Sequence, residues 1–185
     1  MQIRFAQPRD TGAIADIYAY YVRATAITFA TEPPTEADYA ARIADDRYPF
    51  LVAEKAGKVI GFAYAAAFRQ KEAYRWDVEL TIYLAPGCGS RGTGSMLMEK
   101  CLQVLTAQGY LNAYSCITLP NEASMALHRR FGFMELGVFP KTGHKLGCWH
   151  DVIWMARTLT EFPQEPAEPR RLGELQDAGL NRPGG

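Results

Sequence analysis

A glycine-rich turn between a predicted strand and a predicted helix is the segment of this sequence best suited to chemistry. Four glycines fall between residues 86 and 94, and Arg91 adds a cationic donor among them. Glycine lets a backbone approach a ligand closely, and the free N–H groups at a helix N-terminus favour phosphate. The turn therefore predicts a site for a phosphate-bearing ligand, although a plain strand-to-helix turn is the simpler interpretation.

Three phosphate-binding patterns use glycines at this spacing, and two of them fail elsewhere in the chain. Gly87-x-Gly89-x-x-Gly92 matches the dinucleotide fingerprint, but the following strand lacks the acidic residue that binds the ribose. A P-loop requires Lys after its last glycine, whereas Gly92 is followed by Thr93. The third pattern is Gln/Arg-x-x-Gly-x-Gly/Ala. Its second half ends at Gly94, and its first position falls on Gly89.

The strand before the turn contains a candidate general base. Apolar and polar side chains alternate along residues 76–84, and Glu79 lies on the polar face beside Asp77. Two neighbouring carboxylates raise one another's pKa, which suits a carboxylate that must accept a proton near neutral pH. A solvated strand face is the alternative interpretation, because such alternation commonly marks a sheet with one side in water.

Sulfur and imidazole groups predict neither a metal site nor a covalent nucleophile. Cys148 and His150 can share one strand face near His144, but no second close pair accompanies them. Cys88 and Cys116 have no His or Asp partner pattern beside them, so neither is predicted to be a nucleophile. We therefore expect no metal and no acyl-enzyme.

The elements that must position these groups alternate along residues 1–160, which are predicted to form one domain. Strands are predicted over residues 3–5, 50–54, 58–67, 76–84, 111–119, 133–139 and 148–155. Helices are predicted to follow Asp10, Thr35, the glycine-rich turn and Asn121. Thr35 with Asp38 has the pattern of a capping box. Residues 161–185 are polar and interrupted by prolines, which predicts a flexible tail.

Composition excludes several classes of function. The 185 residues contain 20 Lys and Arg against 20 Asp and Glu, so no basic field for nucleic acid or a membrane surface is expected. No apolar run approaches the roughly 20 residues of a membrane span, and the N-terminus lacks the apolar region of a signal peptide. Scattered cysteines without a C-x-x-C pair favour a reducing, cytoplasmic location.

Taken together, the segments of this chain resemble the phosphinothricin-type branch of the GNAT superfamily of N-acetyltransferases. The resemblance runs from about residue 3 to about residue 154. It rests on YPFLVAE at 48–54, AYRW at 73–76, ELTIY at 79–83, LPNE at 119–122, LH at 127–128, FGF at 131–133 and GCWHDV at 147–152.

The resemblance implies an α/β (α+β) GNAT fold, with a mixed and mostly antiparallel sheet of about seven strands flanked by about four helices. It implies acetyl-CoA as the acetyl donor and a small amino-acid-like acceptor, such as phosphinothricin or methionine sulfoximine or sulfone. Transfer is expected by direct attack in a ternary complex, and members of the branch often form homodimers. An acetyltransferase for a protein N-terminus or another amine, and a non-catalytic CoA-binding sensor, remain as alternatives.

The resemblance also implies roles for individual residues. Glu79 is the expected base for the amine, and His128 either protonates the leaving thiolate or packs near the cofactor. A bulged or splayed strand is expected to offer a backbone donor to the oxyanion. Cofactor contacts are expected at Ile82, Tyr83, Leu84, Gly89, Ser90, Arg91, Gly92, Thr93, Gly94, Ser95, Asn121 and Ser124. Acceptor contacts are expected at Tyr18, Arg69, Lys71, Arg75 and Asp77.

One segment departs from the branch pattern. The chain has Lys145-Leu146-Gly147 where phosphinothricin enzymes have Lys-His-Gly. The missing histidine leaves the identity of the acceptor open within the class of small amino acids.

Overall fold

The computed structural model describes residues 1–89 and 92–178, the last three of them by their backbone alone. Its strands are β1 (Gln2–Phe5), β2 (Phe50–Lys55), β3 (Lys58–Ala67), β4 (Asp77–Leu84), β5 (Asn112–Thr118), β6 (Met134–Lys145) and β7 (Cys148–Thr158). Its α-helices are α1 (Thr11–Ala24), α2 (Glu36–Ala44), α3 (Thr93–Gln108) and α4 (Glu122–Arg130).

The seven strands form one sheet in the order β1-β2-β3-β4-β5-β7-β6. Every neighbouring pair is antiparallel except β4 and β5, which run parallel and are connected through α3. The predicted fold class, a mixed and mostly antiparallel sheet flanked by helices, is confirmed. Within the described ranges, no helix is long and apolar enough to cross a membrane.

Both faces of the sheet are covered, and β4 takes part in both cores. Val78 and Leu80 are buried against the α3 side, as the alternation along this strand predicts. Tyr83 points the other way and packs beside Tyr18 and Tyr21 of α1, with ring centroids 4.9 Å away in each case. The polar face of β4 is therefore not a solvated surface, which removes the alternative interpretation of its alternation.

Helices α1, α2 and α4 begin directly after Asp10, Thr35 and Asn121, as predicted, and only the side-chain cap expected at Asp10 differs. Thr35 and Asp38 form the predicted capping box at the start of α2. The Asn121 side chain accepts a hydrogen bond from the Ser124 N–H at the start of α4. Asp10 does not cap α1 with its side chain, because its carboxylate binds the Arg4 guanidinium at 2.7 and 2.9 Å.

Strands β4 and β5 separate after a short paired stretch. Pairing is confined to residues 77–79 of β4 and 112–114 of β5, whereas β5 continues along β7 up to residue 118. The register between β3 and β4 is unbroken, so the expected bulge is absent from that ladder. The divergence of β5 alone opens the sheet, and we call this opening the β4–β5 fork.

The described part of the predicted tail, residues 161–178, packs on the domain through two leucines, and residues 179–185 lie outside the described residues. Leu172 and Leu175 are only 3% and 1% exposed and belong to the core on the α3 side. The Gln108 side-chain amide donates to the carbonyls of Arg47 and Arg170, both at 2.9 Å. Two leucines three residues apart face the same side of a 3₁₀ helix, and this spacing lets a proline-rich segment contribute to a core.

Removing one of these tail leucines should destabilise the whole domain. We expect Leu172→Ala to lower the free energy of unfolding by about 2–5 kcal/mol, as for other buried leucines. Glu161→Ala, at an exposed position before the docked segment, is the matched control and should change little. Urea denaturation followed by circular dichroism measures both. An unchanged midpoint for Leu172→Ala would mean that the tail does not dock.

Candidate active site

The backbone of β4 presents N–H groups to the β4–β5 fork. The Ala85 N–H donates to the Ile60 carbonyl at 2.9 Å, which fixes the phase of the ladder between β3 and β4. Alternate residues of an antiparallel strand bond to the same neighbour, so Tyr83 pairs with β3. The N–H groups of Ile82 and Leu84 consequently point toward the fork. The sequence predicted donors in this stretch, and the ladder selects these two residues.

Two carbonyl oxygens at the fork accept hydrogen bonds from side chains. The Ser115 hydroxyl of β5 donates to the Leu80 carbonyl at 3.0 Å. The Tyr21 hydroxyl of α1 donates to the Leu84 carbonyl at 2.6 Å. The Ile82 carbonyl points toward the fork beside the Ile82 N–H, so this edge offers a ligand both donors and an acceptor. An N–H group at such an edge suits a negatively charged oxygen.

The start of α3 offers a second set of donors. Gly92 is the N-cap with φ 76, a left-handed conformation that glycine adopts without strain. The Met96 N–H donates to the Gly92 carbonyl, which is the first bond of the helix. The N–H groups of Thr93, Gly94 and Ser95 precede this bond and lack partners within the helix. They point out of the helix start, where the dipole favours phosphate.

Gly94 is also a point of close packing. A Cβ at this position would lie 3.3 Å from Leu127 Cδ2 of α4 and 3.7 Å from Leu84 Cδ1 of β4. The glycine thus brings the start of α3 against the fork. Of the remaining predicted loop contacts, Gly89 is exposed, whereas Ser90 and Arg91 lie outside the described residues.

The first turn of α4 contributes polar groups near the same helix start. The Asn121 side-chain oxygen accepts from the Ser124 N–H at 3.2 Å, so the residue serves as N-cap. This bond uses only the oxygen of the amide, and the NH₂ group of Asn121 remains a donor for a ligand. The two roles considered for Asn121 are therefore compatible.

His128 is a buried side chain of α4 whose ring has one hydrogen-bonded nitrogen. It is 5% exposed, and its Nδ1 lies 2.8 Å from the Ser124 carbonyl, which can only accept. In a neutral ring the proton is accordingly on Nδ1, and Nε2 is buried without a partner among the described residues. Burial lowers the pKa of His128. We therefore propose the second of the two interpretations, a histidine packed beside the site.

Replacing His128 by an amide should therefore leave the chemistry nearly intact. We expect His128→Asn, which keeps a donor for the Ser124 carbonyl, to retain kcat within about tenfold of the original. Steady-state turnover with a small amino-acid acceptor measures kcat for both proteins, and a loss of more than about a hundredfold would assign the acid role to His128.

Glu79 is half-buried on the α1 and α2 side of β4. Burial raises its pKa, and the nearby Arg69 guanidinium opposes part of that rise. Asp77 is not the cause, contrary to the sequence-based prediction, because its carboxylate accepts from the Asn112 side chain at 2.9 Å. A carboxylate with a raised pKa beside an open fork is suited to general base catalysis.

The structure brings some of the predicted acceptor contacts to Glu79 and ties others elsewhere. The Arg69 guanidinium lies over the Phe68 ring, 4.1 Å from its centroid, and close enough to act on Glu79. Arg75 instead forms an ion pair with Glu168 of the tail. The Arg75 guanidinium and the Asp77 carboxylate each already have a partner, which disfavours contact of either side chain with the acceptor.

The other two predicted acceptor residues are in different surroundings. The Tyr18 hydroxyl lies 2.7 Å from the Thr28 hydroxyl, which ties α1 to the loop that follows it. Lys71 is exposed in the loop between β3 and β4.

Lys145 is buried and donates to the Thr28 carbonyl at 2.6 Å. The departure at Leu146 falls on the exposed turn between β6 and β7, where this side chain is 61% exposed.

A cleft of about 430 Å³ opens beside Glu79, and sequence reasoning missed most of it. Its lining comprises Arg42, Asp45, Arg47, Tyr48, Pro49, Phe50, Tyr64, Ala65, Ala66, Ala67, Gln70, Glu79 and Thr81. Most of these residues come from α2, the loop after it, and the facing ends of β3 and β4. Residues 48–50, 79 and 81 belong to segments that carry the resemblance, but no local motif marks the others, because only the packing of α2 across the sheet brings them together.

Comparison with known proteins identifies the family. The profile described as acetyltransferase (GNAT) domain matches residues 3–154. The chain belongs to the GNAT family. This agrees with the resemblance seen in the sequence, and it makes the chain an acetyl-CoA-dependent N-acetyltransferase. Within the described part of the chain, no group of three or more His, Cys, Asp or Glu side chains could hold a metal ion.

Similar proteins include two curated relatives and one solved structure. Phosphinothricin N-acetyltransferase of Streptomyces coelicolor is 37% identical over 172 residues, covering 86% of this GNAT chain and 96% of the relative. L-methionine sulfoximine/L-methionine sulfone acetyltransferase of Pseudomonas aeruginosa is 37% identical over 171 residues, covering 87% and 99%. A Sinorhizobium meliloti phosphinothricin acetyltransferase, solved with AcCoA, superposes with a TM-score of 0.85 at 37% identity, covering 90% and 93%.

Proposed function

We propose that this GNAT enzyme transfers acetyl from acetyl-CoA to the amino group of a small amino-acid-like acceptor. One observation carries the proposal: Glu79, a carboxylate of raised pKa, lies beside a fork toward which the N–H groups of Ile82 and Leu84 point. Relatives named for phosphinothricin and for methionine sulfoximine and sulfone support an acceptor of this class.

The residues of the fork and of the α3 start fit acetyl-CoA. The N–H groups of Thr93, Gly94 and Ser95 suit the pyrophosphate, and the close packing at Gly94 leaves no side chain in its way. The open edge of β4 suits the amide groups of the pantetheine arm, since an extended chain can pair with a free strand edge. Bound there, acetyl-CoA supplies the acetyl group as an activated thioester.

The chain's own groups can carry the transfer by direct attack. Glu79 accepts a proton from the acceptor's ammonium group, directly or through a water molecule, which frees the nitrogen lone pair. The nitrogen forms a bond to the thioester carbon, and the Ile82 N–H stabilises the negative charge that develops on the carbonyl oxygen. The carbon–sulfur bond then breaks and the CoA thiolate leaves. The nitrogen loses its second proton to solvent, the thiolate takes a proton from solvent, and the proton on Glu79 is returned to solvent, so that one proton is released per amide formed.

A panel of acceptors tests this proposal. Release of free CoA is measured with phosphinothricin, methionine sulfoximine, methionine sulfone, ordinary amino acids and peptides with a free N-terminus. We expect turnover with at least one of the small amino-acid-like acceptors and none with peptides. Turnover restricted to peptides would indicate an N-terminal acetyltransferase, and acetyl-CoA binding without any turnover would indicate a sensor.

We further propose a cytoplasmic homodimer. Strand β6 lies at the edge of the sheet and exposes a row of apolar side chains, among them Met134, Leu136 and Val138. Exposed apolar rows of this kind are typical of protein interfaces. All four cysteines are free, which suits the reducing cytoplasm. Light scattering coupled to size-exclusion chromatography measures the mass, and a monomer at micromolar concentration would contradict the dimer.

A further inference from the structure

The cleft beside Glu79 contains an arginine without an ion-pair partner. Arg42 lies in the last turn of α2, with its guanidinium 5.3 Å from the centroid of the Tyr64 ring. The Tyr39 ring is 6.0 Å away on the same side. Among the described residues, no carboxylate oxygen lies within 4 Å of this guanidinium, whereas Arg47 in the same cleft binds Asp45 with two nitrogens.

Arg42 and Glu79 line the same cleft, the first from α2 and the second from β4. Tyr64 pairs with Thr81 and Ala66 pairs with Glu79 in the β3–β4 ladder, and all four of these residues belong to the lining. The guanidinium beside Tyr64 and the carboxylate that accepts the proton are therefore presented to one acceptor in one cleft.

The other cations near the site are less suited to hold an acidic group of the acceptor. Arg75 is paired with Glu168, and neither it nor Lys71 lines the cleft. Arg69 lies over the Phe68 and Trp154 rings and acts on Glu79 itself. Arg42 is exposed, as Lys71 is, but it lines the cleft, and its guanidinium lies beside the Tyr64 ring. A planar guanidinium binds a carboxylate through two parallel hydrogen bonds.

We propose that Arg42 binds the carboxylate of the acceptor and so makes the enzyme selective for α-amino acids over simple amines. This inference rests on the proposed function and specifies which part of the acceptor the cleft recognises. Arg42 holds the acid group at the α2 end of the cleft, and the amino group then lies toward Glu79 and the fork. The cleft volume of about 430 Å³ is near the lower end for ligand pockets, which favours a single amino acid over a peptide.

The test compares one acceptor with and without its carboxylate. The unaltered enzyme and Arg42→Met are each assayed with methionine sulfone and with its decarboxylated amine analogue. The methionine side chain can still pack on the Tyr64 ring. For methionine sulfone we expect Arg42→Met to lower kcat/KM by about 10- to 100-fold, chiefly through KM. For the decarboxylated amine we expect kcat/KM to stay within about twofold. For methionine sulfone, the kcat/KM of Arg42→Lys should lie between those of the unaltered enzyme and Arg42→Met.

Arg23 provides the matched control, since it lies in the last turn of α1 and is exposed. Arg23→Met should leave the preference for the carboxylate unchanged. Equal losses for both acceptors in Arg42→Met, or no loss for methionine sulfone, would overturn the inference while leaving the acetyltransferase function intact. Equal kcat/KM values of the unaltered enzyme for the two acceptors would also overturn the inference.

A binding measurement separates this inference from the proposed function. Calorimetric titration of methionine sulfone into the CoA-loaded protein does not depend on turnover. Binding that Arg42→Met weakens by about tenfold supports the inference even if no acceptor in the panel is acetylated, a result that would overturn the proposed function alone. Equal binding by both proteins, or no binding by either, would overturn the role of Arg42.

Discussion

Glu79→Gln is expected to lower kcat by about 10²- to 10⁴-fold, the usual range for removal of a general base. The glutamine keeps the shape of the half-buried side chain but cannot accept a proton from the acceptor's ammonium group. Because the donors assigned to acetyl-CoA are backbone N–H groups that this substitution leaves in place, acetyl-CoA affinity should change by less than about twofold.

The pH dependence gives this prediction a second readout. A base acts only when ionised, and burial raises the pKa of Glu79. The acidic limb of the kcat/KM profile should therefore lie above the ordinary range of glutamate, about 4.3. In Glu79→Gln that limb should disappear, and the residual rate should climb with pH as the acceptor's ammonium group loses its proton unaided.

Glu99→Gln is the matched control, because Glu99 is an exposed carboxylate on α3. Its kcat and its pH profile should equal those of the unaltered enzyme. If Glu79→Gln retained full turnover with the same acidic limb, Glu79 would not be the base.

Gly94→Trp is expected to raise the Kd for acetyl-CoA by about 10- to 100-fold, the equivalent of one or two lost charge-assisted hydrogen bonds. Even a Cβ at this position would lie 3.3 Å from Leu127 Cδ2, so an indole must displace α4 or fill the space in front of the α3 start. Either result removes backbone N–H donors from the pyrophosphate.

Two further variants keep this prediction interpretable if Gly94→Trp does not fold. Gly94→Ala introduces only the tight Cβ contact and should raise the Kd for acetyl-CoA by a smaller factor than Gly94→Trp does. Gly137→Ala on β6 is the control, because a Cβ there meets nothing within 4 Å. Fluorescence titration with acetyl-CoA measures all three, and normal affinity in a folded Gly94→Trp would contradict the assignment of this loop.

Local patterns were sufficient to predict most elements of the fold. The alternation along β4 is confirmed because Val78 and Leu80 fill the α3-side core. The capping signals at Thr35 and Asn121 depend on bonds to residues three positions away, so they can be recognised from the sequence. Gly92 can be recognised as well, because the positive φ at the start of α3 favours glycine.

Features that depend on distant contacts could not be predicted in this way. The docking of Leu172 and Leu175 requires a gap in the core that only the assembled sheet creates. Burial of His128 beside Phe133, with ring centroids 4.9 Å apart, depends on the packing of α4, so the sequence alone left the two interpretations of His128 open. The place of Arg42 in the cleft depends on how α2 crosses β3.

Cys116 has a thiol that is close enough to Glu79 to be affected by its charge, and a thiol could compete with direct transfer as a nucleophile. Partial desolvation, together with the Glu79 carboxylate, raises the pKa of Cys116 to about 11. A thiol of this pKa is almost entirely protonated at neutral pH and is a weak nucleophile. The site therefore favours attack by the acceptor's amine over formation of an acyl-enzyme.

Intact-protein mass spectrometry tests this central claim most directly. The enzyme is incubated with acetyl-CoA alone, and methionine sulfone is then added while free CoA and the N-acetylated product are quantified. Direct transfer predicts an unchanged protein mass before the acceptor is added, followed by CoA and N-acetyl product in equal amounts. An acetylated protein that forms first and then loses its acetyl group to the acceptor would contradict the account.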